Sequence, residues 1–329
     1  MDLIDNVSAG EWIDYRPELK IIDCTIRDGG LMNKHHFSDD FVKATYETCV
    51  RAGVDYIELG YKNDPDLFSP EEFGKWKYCR EEDLREVIGE KAETTRISVM
   101  ADVGRCNVKR DFLPASESYI DMVRVACYIH QIPEAIDMIH HIHSLGYEVS
   151  ANLMAISVIP DWELVEAIKR LAAAPIEVLY IVDSFGSLHT DQIQHLTRSY
   201  LNVCNEHGRK VGIHAHNNMQ MAFSNSIISM IMGASFMDGS LGGLGRGAGN
   251  CPTELLLGFL HNPKYHLRPA LDFIEAYINP LRETIKWGYD TAYMLTGLLN
   301  QHPRAAIAFY EKDSKKTLTR FYDELMDLE

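Results

Sequence analysis

The chain has 329 residues, with 48 acidic side chains against 32 Lys and Arg and a formal charge of −16. At 46% hydrophobic and 24% charged it has an ordinary globular composition, long enough for one large barrel with an appendage or for two domains. The charge argues against non-specific binding to nucleic acid or to an anionic membrane surface, but not against an acidic small molecule, because local cations and a metal set the field in a pocket.

The seven cysteines include no C-x-x-C pair. That usage fits a reduced protein rather than a disulfide scaffold or a zinc ribbon. The start, Met1-Asp2-Leu3-Ile4-Asp5-Asn6, lacks a basic n-region and an apolar h-region, so a cytoplasmic location is expected. No stretch is apolar for long enough to span a bilayer.

Short β-branched runs alternate with segments of helical period. A strand is predicted over 20–24, followed by Arg27 and Asp28 on a glycine-loosened turn. A helix over 39–52 stops at Gly53, and a strand over 55–59 carries Glu58. Strands over 96–101 and 120–126 precede a helix over 132–145, with Pro133 near its start and Gly146 past its end. A strand over 148–154 carries Asn152, and a helix over 161–174 leads to a strand over 177–182 and then Asp183. A helix over 190–207 stops at Gly208, and the strand over 210–216 ends in His214 and His216. A helix over 219–233 and a strand over 235–239 lead into a glycine-rich run, 242–250.

Strand–helix alternation without a break in composition predicts an α/β fold, a parallel (β/α)8 TIM barrel, with a doubly wound open sheet as the runner-up. The barrel is favoured because these polar residues all fall at the C-terminal ends of strands, which a barrel gathers on one face. Alternation stops near Asn262, dividing a catalytic barrel, 1–262, from a C-terminal helical extension, 263–329.

His214 and His216 stand at i, i+2 on a strand, so both imidazoles face the same way. With the carboxylate of Asp28 they form a ligand set for a divalent metal, and the adjacent Arg27 can hold an anionic substrate. Glu58 should point into the barrel, where a carboxylate needs a partner, and Arg27 is the natural one. The glycine-rich run lacks the spacing of a phosphate loop and is better read as a flexible loop bringing Asn250 to the metal or the substrate. His140 and His143 share a helix face that is expected to be solvated rather than a second metal site. No nucleophile elbow, kinase signature or Walker motif occurs.

Taken in order, Asp23-x-Thr25-x-Arg27-Asp28-Gly29, Glu58, Asp183-Ser184, His214-x-His216-Asn217 and Gly245-x-Gly247-x-Gly249-Asn250 resemble the metal-dependent TIM-barrel aldolases and lyases related to hydroxymethylglutaryl-CoA lyase. The run 212–218 and the stretch Gly288-Tyr289 to Tyr293 are most similar to the 4-hydroxy-2-oxovalerate aldolase branch. The resemblance implies a carbon–carbon lyase: a divalent-metal-dependent aldolase that cleaves or forms a 4-hydroxy-2-oxo acid through a pyruvate-type enolate. Asp28, His214 and His216 would be metal ligands, joined by Asn250 as in the lyases. Mn²⁺ is the expected ion, with Mg²⁺, Co²⁺ or Zn²⁺ as alternatives. Arg27 would stabilise the enolate with Glu58 orienting it, and Tyr293 would lie near the substrate hydroxyl.

One position departs from the pattern. These aldolases carry a His two residues after the Gly of Arg-Asp-Gly, where this chain has Leu31. His35 or His36 on the same loop, a metal-bound water, or Tyr293 would have to supply the base, and His35 is the histidine carried forward. A small 2-oxo acid is the expected partner, with a homo-oligomer, a dimer, as the assembly. An aldehyde dehydrogenase partner is not assumed, since the tail differs. Two other readings are an acyl-CoA-dependent carbon–carbon lyase or synthase, with Cys251 beside the glycine loop, and a metal-binding barrel that has lost catalysis, as Leu31 suggests.

Overall fold

A computed structural model describes residues 16–311 and 317–327, so the acidic start of the chain lies outside the described residues. Eight strands close in chain order into a barrel. They are β1 Lys20–Asp23, β2 Tyr56–Tyr61, β3 Arg96–Asp102, β4 Met122–Cys127, β5 Glu148–Leu153, β6 Val178–Asp183, β7 Lys210–Ala215 and β8 Phe236–Gly239. β8 pairs back to β1 in parallel, with Lys20 opposite Phe236, which rules out the open sheet.

The strands alternate in what they bury. Outward residues such as Ile21, Ile57, Val99 and Ile213 pack under the surrounding helices, where β-branched side chains suit a pleated surface. Inward residues Ile22, Tyr56, Met122, Val178, Tyr180 and Phe236 fill the lower barrel. Gly212 in β7 belongs to that wall, and a Cβ there would lie 2.6 Å from the Tyr180 ring. The helix Asp39–Ala52 starts where Ser38 Oγ accepts from Phe41 N at 3.2 Å and stops at Gly53 with φ 75°. In the helix Ile132–Ser144, His140 and His143 are exposed, as expected.

The turn expected after β1 is instead a single helical turn, Thr25–Gly29. Thr253 Oγ1 donates to Asp23 Oδ2 at 2.7 Å, and Asp23 Oδ1 accepts Thr25 N at 3.0 Å. That anchored carboxylate starts the helical turn, which sets Arg27 and Asp28 side by side at the mouth of the barrel.

Beyond Asn262 the chain is helical. Leu267–Phe273 packs on Asp39–Ala52 through contacts such as Phe41 against Phe273, and a π-helical turn, Ile274–Ile278, joins it to Asn279–Thr284. Thr291–Leu298, Arg304–Glu311 and Leu318–Met326 then build a small core in which Tyr293 and Phe321 meet Ala248 of the glycine loop. This places the tail over the C-terminal face of the barrel. Among the described residues no helix is long and apolar enough to cross a membrane.

Candidate active site

Asp28, His214 and His216 converge at the barrel mouth. Asp28 Oδ2 lies 3.5 Å from His214 Nε2 and 3.6 Å from His216 Nε2, and the three groups are close enough to share one ion. Each imidazole is fixed from behind. His214 Nδ1 lies 2.8 Å from Asp238 Oδ2, and His216 Nδ1 lies 3.0 Å from the carbonyl oxygen of Asp183. With Nδ1–H donated backwards, both Nε2 lone pairs face the carboxylate.

Acceptors facing acceptors in a buried site are stable only around a cation. Both oxygens of Asp28 and both Nε2 atoms are buried without a hydrogen bond. The residues therefore fit a divalent metal. Burial alone would raise the Asp28 pKa, but Arg27 and the two imidazoles hold it well below the usual carboxylate range. Burial, with Arg246, holds His216 well below an ordinary histidine, whereas for His214 burial is outweighed by the neighbouring carboxylates of Asp238 and Asp28, which raise it.

Asn250 pairs with His216 through its backbone, and its carboxamide is buried with neither atom bonded. Cys24, His214 and Asp238 form a second group near enough to share an ion. Arg124 occupies that place instead, with Nη1 3.4 Å from Cys24 Sγ and Nη2 on Asp238 Oδ2.

Arg27 and Glu58 meet as expected, Nε to Oε2 at 2.7 Å, and Arg27 Nη1 lies 3.3 Å from Asp28 Oδ1. Glu58 is also held by Arg124, Nη1 to Oε2 at 3.0 Å. One fully buried guanidinium, stacked 4.4 Å from the centre of the Tyr180 ring, therefore braces both the carboxylate behind Arg27 and the carboxylate behind His214. The sequence reading missed this role because Arg124 looks like the polar half of an alternating strand.

The cleft above these groups encloses about 240 Å³. Tyr61, Asp102, Arg105, Arg246, His302 and Arg304 line it, and none of these was singled out from the sequence. Leu31 also lines it, whereas His35 and Tyr293 do not. His35 is buried against Gly30, where a Cβ would lie 2.1 Å from its Nδ1, and its ring meets Tyr61 edge-on at 5.4 Å. Tyr293 packs beneath Gly247 of the glycine loop, where a Cβ would lie 3.0 Å from the ring. His36 is exposed and reaches the Glu72 carbonyl oxygen at 2.9 Å.

Behind Tyr61, Lys77 places its ammonium over three rings, 4.6 Å from Tyr61, 4.5 Å from Phe68 and 5.4 Å from Phe73. Burial pushes its pKa down to about 8. Between that value and the ordinary ~10.4 the folded protein binds fewer protons than the unfolded chain, so wild-type stability rises with pH through this window. Lys77→Met is expected to be the more stable protein at pH 7, and its advantage should shrink by about 3 kcal/mol by pH 10.5. Urea unfolding of both proteins at the two pH values measures this, and an advantage that stays constant would contradict it.

The HMGL-like family profile matches residues 18–277. The chain is 30% identical over 311 residues to the 4-hydroxy-2-oxovalerate aldolase of Thermomicrobium roseum, covering 91% of this chain and 85% of that one. It superimposes on the N-terminal domain of a putative aldolase from Bacteroides vulgatus with a TM-score of 0.74 at 28% identity, covering 90% of this chain and 97% of the other. The HMG-CoA lyase of Brucella melitensis shares the fold, with a TM-score of 0.64 at 18% identity over 80% of this chain and 99% of that one. With Asp28, His214, His216 and the neighbouring Arg27 gathered at the C-terminal face of a closed barrel, the chain belongs to the HMGL-like family of enzymes.

Proposed function

We propose that the protein is a divalent-metal-dependent aldolase that cleaves or forms a 4-hydroxy-2-oxo acid through the enolate of pyruvate or a close analogue. The observation that carries this reading is the buried, unpartnered donor set of Asp28, His214 and His216 beside Arg27. Asn250 is a further ligand in this reading, and Mn²⁺ is the ion we favour for a set of imidazole, carboxylate and amide donors. When bound, the metal polarises the 2-oxo group as a Lewis acid and so acidifies the adjacent carbon.

Arg27 supplies a second positive group where the enolate charge develops, and Glu58 keeps it from turning away. Leu31 offers no proton acceptor, so the C4 hydroxyl needs another base. Asp102 at the end of β3 is the carboxylate we assign, since it lines the same cleft and burial raises its pKa against the pull of Arg105. His35, placed behind Tyr61, positions that ring, and Tyr293 supports the loop that carries Asn250. The extension, 263–329, contributes to the site by bringing His302 and Arg304 to its rim.

The other readings are less well supported. Cys251 is fully buried and its thiol is pushed up to about 12, unlike a reactive cysteine. The cleft, at about 240 Å³, is small for an acyl-CoA. A barrel that kept the metal but lost catalysis would have no need of Arg27 held beside the donor set by a fully buried Glu58.

Deuterium exchange at C3 of pyruvate, with metal removed and restored, tests the proposal without knowledge of the aldehyde. Exchange should follow the metal, and its absence with Mn²⁺, Mg²⁺, Co²⁺ and Zn²⁺ alike would overturn the reading. Asp102→Asn should slow retro-aldol cleavage by about 10²-fold while slowing C3 exchange far less. Equal losses in the two reactions would remove Asp102 from the base role.

A further inference from the structure

The cleft is cationic within a strongly acidic chain. Arg27, Arg105, Arg246 and Arg304 line it against the carboxylates of Asp28 and Asp102. Arg27 is committed to Glu58 and Asp28, and Arg105 Nη1 leans towards Asp102 at 3.7 Å. Among the described residues, neither Arg246 nor Arg304 has a carboxylate partner.

Arg246 donates from Nη2 to the Ser184 carbonyl oxygen at 2.7 Å, and its Nε is buried with no acceptor. Arg246 is half-buried, but an Nε sealed from solvent with its donor unmet is costly unless an anion reaches the guanidinium. His302 accepts the Arg304 N–H on Nδ1 at 3.0 Å, so its proton sits on Nε2 of a ring that lines the cleft. Burial and the two arginines push that imidazole down to about 4, leaving a neutral donor at pH 7.

Charge counting separates two anions. A divalent metal with Asp28 leaves one positive charge, which the carboxylate of a 2-oxo acid neutralises. The Arg27–Glu58 and Arg105–Asp102 pairs are neutral, so Arg246 and Arg304 remain uncompensated. Depth orders the two groups: Asp28 is fully buried, whereas Arg304 is exposed at the first turn of its helix. The 2-oxo acid head belongs at the bottom of the cleft and a second anion at its rim.

We propose that the substrate carries a second anionic group, a carboxylate or a phosphate, on the end released as the aldehyde, held by Arg246, His302 and Arg304. This identifies a substrate class and rests on the aldolase reading above. A neutral aldehyde would leave two cations unpaired.

Isothermal titration of the full-length, Mn²⁺-loaded protein with 2-oxoglutarate and with 2-oxopentanoate isolates the far carboxylate. Both probes have five carbons and neither has a 4-hydroxyl. Binding of 2-oxoglutarate should be at least tenfold tighter, and the ratio should fall towards one in Arg304→Gln and in Arg246→Gln, the first being an exposed site that the fold tolerates. Pyruvate addition to glyceraldehyde 3-phosphate against glyceraldehyde, and to succinate semialdehyde against butanal, separates phosphate from carboxylate as the group preferred. Equal binding of the two probes, binding of neither, or an equal loss for both in the variants would overturn the proposal. Wild-type C3 exchange keeps the two readings apart. Exchange without discrimination sinks only the second anion, and discrimination without exchange sinks only the aldolase.

Discussion

Replacing Asp28 with Asn is expected to lower Mn²⁺ affinity, and with it metal-dependent C3 exchange of pyruvate, by on the order of 10³-fold. The groups behind metal ligands are typically worth about 10–100-fold, and Asp28 is the only charged member of the set of Asp28, His214 and His216. The substitution keeps shape and removes charge, so a loss of folding should not confuse the result. It also removes the carboxylate that faces two imidazole lone pairs and the Arg27 guanidinium. Asp238→Asn gives the comparison, since Asp238 touches His214 Nδ1 and not the ion, and it should lose only about 10–100-fold. Titration calorimetry and exchange measured at saturating metal distinguish the two. Equal, small losses for both variants would mean that the three groups do not share an ion.

Arg124→Met should cost about 3–5 kcal/mol of folding stability, because it leaves Asp238 buried without its cation and Glu58 with Arg27 alone. Both side chains are 1% exposed or less, so water cannot replace the guanidinium. Combining Arg124→Met with Asp238→Asn removes one charge of each sign, leaves Glu58 paired with Arg27, and should recover most of the stability. Catalysis should not return with it, since His214 would lose the carboxylate behind its Nδ1 and Glu58 the brace that holds it on Arg27. Chemical denaturation followed by the exchange assay reads both quantities. A loss below about 1 kcal/mol for Arg124→Met would show that the two carboxylates find other partners.

The barrel, and the convergence of two histidines on one face, were legible because both depend on short periods. Alternation of two marks a strand, and two histidines at that spacing must share a face. Asp28 and Arg27 were legible as polar residues just past an apolar strand, although the helical turn that holds them was not, since it begins from the bond between Asp23 and Thr253. Arg124 and Asp238 were hidden for a different reason. In a half-solvated sheet a charge on alternate positions faces water, and only closure of the barrel turns that face inwards. His302, Arg304 and Arg246 carry no local signal, because their place at the cleft is set by packing of the tail on the glycine loop. His35 was read from loop proximity, and the left-handed backbone at this residue, φ 63°, takes it behind Tyr61.

The small core that joins the tail to Ala248 has a consequence for specificity. On the proposed aldolase reading the enolate-forming groups sit at strand ends that cannot move without reopening the barrel, whereas His302 and Arg304 belong to the tail that follows it. Substitutions in the tail are therefore expected to change the aldehyde accepted while leaving those strand-end groups in place. A chimera carrying a relative's tail would then keep the old chemistry and act on a new aldehyde.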